Sequence, residues 1–194
     1  YMRQPQFHTP FSALRAMLDG SMKYNVWNKL VRRNLYESTG IRFPEGHSMG
    51  EDMTMIKLMA CSFKESHVPE ALYHYVKSDV AMSTGTLSRK ALEDLKFNAE
   101  DTIAFLRKEF QAGLKEGIAL FKLNVKLPFL LTGSHDDYLR WCSWYPEADS
   151  YIWRNKKASL RIKLLQQCAA LRIYPAVWIY FHMIQKVIYG LIYR

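Results

Sequence analysis

Glu51 and Asp52 are adjacent carboxylates placed where a glycine-bounded loop ends and an apolar segment of helical period begins. The loop runs through Ile41-Arg42-Phe43-Pro44-Glu45-Gly46 to Gly50; Met55, Ile56, Met59, Ala60 and Phe63 then recur at helical spacing. At a helix N-terminus the dipole and the unpaired N–H groups favour an ionised carboxylate, the state a general base needs. The same electrostatics makes acidic pairs common at helix starts in any protein. Alone, the pair carries little chemistry.

Its surroundings add candidates. Trp27, in the run Trp27-Asn28-Lys29-Leu30-Val31-Arg32-Arg33, offers an indole face that stacks on the C–H face of a pyranose, with a core aromatic as the plainer reading. Lys29 and Arg32-Arg33 suit phosphate oxygens or, more simply, a solvated basic segment. His47 precedes the acids, either to touch an acceptor or as a plain loop histidine. His67, His74 and His182 lack metal-ligand spacing and read as structural.

The elements that must position these groups follow from the pattern. Phe11 to Leu18 reads as a short helix closed by Gly20, Asn25 to Val31 as extended, and Asn34 to Ser38 as a helix ended by Gly40. A helix opens at Glu51, Val68 to Val76 reads as a strand, and 77–86 is a polar loop. Beyond Thr86 the chain turns helical. Leu92, Leu95, Ala99, Ile103, Leu106 and Phe110 mark an amphipathic helix, followed by helices over 114–128, 135–145, 159–171 and 174–192. The change of character predicts two parts, 1–86 mixed α/β and 87–194 helical.

The blocks Trp27 to Leu30, Ile41 to Gly46, Glu51-Asp52 and Leu72-Tyr73-His74-Tyr75, in that order, resemble the second half of the catalytic domain of family 2 glycosyltransferases. The resemblance covers residues 10 to 86. It implies an α/β part of a GT-A-type domain and an inverting enzyme of bacterial surface polysaccharide synthesis. Such an enzyme moves a sugar from a nucleotide-sugar donor to a saccharide acceptor, here expected to be lipid-linked. On that likeness Asp52 is the base that deprotonates the acceptor hydroxyl, with Glu51 beside it, and Trp27, Lys29 and His47 are substrate contacts. The polar loop matches a region that closes over the donor, with Ser83 the position of interest, although an ordinary connection reads nearly as well. Val76 departs from the pattern, standing where many relatives carry a basic residue.

The resemblance also implies something beyond these residues. Relatives hold a divalent metal, Mg or Mn, through an Asp-x-Asp-type motif in a nucleotide-binding half, and no Asp-x-Asp occurs here. The chain therefore reads as the C-terminal portion of a longer enzyme, expected to be inactive alone and to bind no metal itself. A homodimer that covers surface normally met by the other half is also admitted.

Composition bounds the alternatives. Half-apolar content over 194 residues supports a real core. Three widely spaced cysteines, Cys61, Cys142 and Cys168, argue for reduced thiols in the cytosol rather than a disulfide framework. The longest apolar stretch, Ile173 to Ile184, is too short to span a bilayer. Nearly all of the net +9 lies after residue 150, where eight cations stand among Trp153, Leu160, Leu164, Trp178 and Ile188 with no acid. That mixture suits the surface of an anionic membrane, hence an enzyme peripheral to the inner face of the cell membrane. A basic helical face that meets only water, or covers the rest of the enzyme, is the plainer reading. No nucleic-acid-binding motif is present, so nucleic acid is not an expected partner. The competing function is a non-enzymatic helical module that docks to a membrane or a partner.

Overall fold

The computed structural model describes residues 6, 9–74, 76 and 88–183, apart from the side chains of 111 and 112. Ser83 and the expected lid over 77–86 therefore lie outside the described residues, as do Tyr75 and 184–194. The chain divides into two compact units, Tyr1–Leu114 and Lys115–Arg194. The long helix after residue 86 belongs to the first unit, so the compositional change precedes the division.

The first unit holds α1 (Pro10–Asp19), α2 (Arg33–Thr39), α3 (Glu51–Ala60) and α4 (Arg89–Phe110), with a 3-10 turn at Val26–Asn28 and another at Gln111–Leu114. Local chemistry sets its ends. Thr9 caps α1, its hydroxyl accepting from the Ser12 N–H at 3.2 Å, and Pro10 occupies the first turn, where its missing N–H costs nothing. Gly20 and Gly40 close α1 and α2 at φ +83° and +68°, the left-handed conformation that a side chain resists. Helix α3 packs against α1 and α4; it buries Met53, Met55, Ile56 and Leu58, while α1 buries Leu14 and Met17 and α4 buries Ile103 and Leu106.

The expected α/β fold is not found. The described residues carry helices and no strand. Asn25 to Val31, expected to be extended, contains a helical turn. Between Val68 and Val76 the described residues are exposed and lack ladder hydrogen bonds: Leu72 is 79% exposed and Val76 83%. A strand exists only by pairing its N–H and C=O groups with a neighbour. Among the described residues nothing offers that edge, so β-propensity and alternation at Val68–Val76 go unrealised. The GT-A-type architecture inferred from resemblance falls with them.

The second unit holds α5 (Lys115–Lys126), α6 (His135–Ser143), α7 (Leu160–Ala170) and α8 (Tyr174–Ile179), with 3-10 segments at Leu127–Leu131 and Pro146–Arg154. Phe121, Leu123, Leu130, Trp141 and Ile152 form its interior. Lys126 is also fully buried there. Its Nζ lies 3.8 Å from the Trp141 ring centroid and donates to Asp149 Oδ1 at 2.6 Å and the Trp144 carbonyl at 2.9 Å. Burial pushes the Lys126 pKa down and the Asp149 pKa up, so desolvation opposes both charges that the ion pair favours. Pro175 occupies the first turn of α8, where its missing N–H costs nothing.

Candidate functional site

Asp52 sits in the first turn of α3, and its carboxylate points at the Val26–Asn28 turn. Oδ1 accepts from the Val26 backbone N–H at 2.7 Å and Oδ2 from Asn25 Nδ2 at 2.9 Å. Its charge reaches two further groups. Burial, and then Asp52, push the Tyr24 hydroxyl up to about 12. Burial brings Lys29 down to about 8, against the upward pull of Asp52. The Lys29 ammonium donates to the Lys23 carbonyl at 2.8 Å and to Asn28 Oδ1. Glu51, beside the aspartate, is exposed to solvent.

The turn that Asp52 holds carries Trp27. Its indole stacks on Tyr73, with ring centroids 5.2 Å apart and planes at 24°, and Tyr73 is more than half exposed. Ile41 packs with Met55 and Leu58 of α3 in a cluster that Tyr24, Val26, Val31 and Leu35 cover. Residues far apart in sequence thus meet around one turn: Trp27 and Lys29, Ile41, Asp52 and Tyr73. Arg32 and Arg33, at the start of α2, are exposed.

His47 is held elsewhere. Its Nδ1 lies 3.0 Å from Asp94 Oδ1, and its ring stacks on Phe97 at 4.0 Å between centroids. Asp94, on α4, gathers the loop before α3. Oδ2 accepts from the Ser48 backbone N–H at 3.0 Å, the Ser48 hydroxyl at 2.9 Å and Lys90 Nζ at 2.8 Å. These donors, Lys90 first and then the Ser48 N–H, hold the Asp94 carboxyl well below the usual carboxylate range despite its burial. One turn on, Asn98 Nδ2 donates to the Ser48 carbonyl at 2.8 Å. Gly50 is where loop and helix come closest: a Cβ there would fall 2.5 Å from Asn98 Cγ and from Pro44 Cγ.

A cavity of about 300 Å³ opens between α3 and α4, lined among others by His47, Gly50, Thr54, Lys57, Phe97 and Asp101. Lys57 and Asp101 pair across it. Asp52 is not in its wall. Position 52 faces the Val26 turn, while 50, 53, 54 and 57 share the face toward α4. The structure therefore brings together Asp52, Trp27 and Lys29 of the expected site and sets His47 apart.

Sequence reasoning missed Asn25 and Asp94. Asn25 gives no pattern of its own. Asp94 does: Lys90, Asp94 and Asn98 recur at four-residue spacing, a polar row on one side of an otherwise amphipathic helix.

Among the described residues no group of three or more His, Cys, Asp or Glu side chains converges as a metal site requires. Comparison of the chain with known protein families, with curated proteins and with solved structures finds no match.

Proposed function

We propose that this chain supplies the acceptor-side, base-bearing part of an inverting glycosyltransferase of surface polysaccharide synthesis, with Asp52 as the base. One observation carries the reading. One residue of each block on which the likeness rests lies by a single turn: Asp52 bonds the Val26 N–H, Trp27 stacks on Tyr73, and Ile41 packs beneath α3, while Arg42, Pro44 and Glu45 of the second block line the cavity between α3 and α4. That proximity supports the reading; the helical fold of the first unit does not.

The chemistry asks three things of the site. A carboxylate must face the acceptor hydroxyl with lone pairs to spare. Asp52 has two donors on two oxygens, which leaves further acceptor positions for a third. As the acceptor oxygen attacks the anomeric carbon, its proton passes to Asp52. The bond from that carbon to the nucleoside diphosphate breaks on the opposite side, which inverts the configuration. An apolar platform must hold the sugar ring, and the Trp27–Tyr73 stack offers one. The base must also be fixed in direction. The bonds from Val26 and Asn25 do this.

The described residues do not make a metal site, and no step here runs through one. No helix among the described residues is long and apolar enough to cross a membrane. The proposed place of work, peripheral to the inner face of the cell membrane, follows from a lipid-linked acceptor and the basic second unit.

The test is transfer of labelled sugar from nucleotide-sugar donors to lipid-linked acceptor by the full product of the gene, wild type against Asp52→Asn. Loss of transfer with folding intact is expected; unchanged transfer rejects the base. The reading as a docking module without catalysis predicts no transfer from either protein.

A further inference from the structure

We infer that the second unit docks on an anionic lipid bilayer through the outer faces of α7 and α8 and the turn that precedes α7. This deepens the membrane placement proposed above and is independent of the chemistry at Asp52.

The apolar part of this surface is open. Leu160 and Leu164, one turn apart on α7, and Ile179 on α8 are 65%, 48% and 52% exposed, and together they line a shallow groove of about 450 Å³. Trp178, on α8, and Met183, beyond its end, are exposed as well. Soluble proteins seldom leave a contiguous patch of large apolar groups uncovered.

Charge identifies the occupant. Arg161 lies in the groove wall, with its guanidinium 5.9 Å from the Tyr180 ring centroid. Lys156 and Lys157 are exposed in the turn before α7, where Asn155 Oδ1 accepts from the backbone N–H groups of Lys157 and Ala158 and fixes the chain. Beyond Asp149 the sequence has no acid at all, so no carboxylate follows to offset these cations. An apolar groove with Arg161 in its wall, exposed lysines in the turn before α7 and an exposed tryptophan on α8 suit the boundary between headgroups and acyl chains. The aliphatic groups enter the boundary and the cations meet phosphates.

Co-sedimentation with vesicles tests this directly. The chain is expected to pellet with phosphatidylcholine vesicles that contain phosphatidylglycerol, to bind pure phosphatidylcholine far less, and to be released by salt. Each of Lys156→Gln, Lys157→Gln and Arg161→Gln should weaken partitioning by about fivefold. Leu164→Gln should weaken it with the charge unchanged, and circular dichroism should report the same helix content throughout. No binding to the anionic vesicles, or equal binding to both, overturns the inference. A dimer that Leu164→Gln dissociates, in a chain that ignores vesicles, assigns the face to a second copy and overturns it too. Transfer to a water-soluble acceptor should survive all four substitutions, so failed docking and a failed base assignment are told apart.

Discussion

Asp52 accepts a 2.7 Å hydrogen bond from the backbone N–H of Val26, which ties the first turn of α3 to the turn that carries Trp27 and Lys29. The bond spans 26 residues of sequence and fixes a carboxylate beside an aromatic pair and a partly buried amine. It also gives the carboxylate a structural duty. Substitutions at Asp52 must therefore be chosen so that this duty survives. Asparagine meets that need: its oxygen accepts from Val26, and Asn25 can turn its own amide to offer an acceptor to the new NH2.

The titration of Lys29 reports the pair. Burial lowers its pKa to about 8 and the charge of Asp52 opposes that fall. Asp52→Asn removes the opposing influence, so the Lys29 midpoint should drop below about 8. Acylation of Lys29 against pH, or the Cε chemical shift, measures it. A midpoint that stays or rises means that Asp52 does not act on Lys29.

Asp94 makes stability depend on acid. Its folded pKa is depressed, chiefly by Lys90 and then the Ser48 N–H, so the native state binds its proton less readily than the unfolded chain. The contribution is present above the unfolded value of about 4 and is lost as pH falls from there toward the folded value. Urea midpoints should decline in that window for wild type and decline less for Asp94→Asn. Parallel declines would remove Asp94 from the account.

Gly50→Ala probes the close approach of loop and helix. The backbone at φ −110° suits any residue, so the cost is steric alone. Asn98, which the new Cβ would strike, cannot swing away without losing its bond to the Ser48 carbonyl. We expect a loss of about 1–3 kcal/mol in chemical denaturation. A neutral result would mean that the loop has room.

The helices were largely legible in the sequence, and the reasons are local. Gly20 and Gly40 end α1 and α2 where a left-handed residue is needed, and the apolar spacing from Leu92 to Phe110 lies within α4. The opening of α3 at Glu51 follows from the loop glycines and the acidic first turn. What failed was the strand. Val68 to Val76 has the residue types of a strand, but a ladder is a property of two segments, and propensity reports only one. The partners of His47 were not legible for a related reason. Its proximity to Asp52 in sequence says nothing of helical phase, and its partner Asp94 stands 47 residues away. Asp52 lies by the turn of Trp27 and Lys29 because its carboxylate bonds the Val26 N–H.

Whether Asp52 takes the acceptor proton is read from steady-state transfer by the full gene product, with Asp52→Asn beside Glu51→Gln. Asp52→Asn should lower kcat by about 10²- to 10⁴-fold with KM for the acceptor little changed, while Glu51→Gln, at an exposed position, should have a far smaller effect. A correctly folded Asp52→Asn protein that keeps the wild-type kcat would contradict the base assignment.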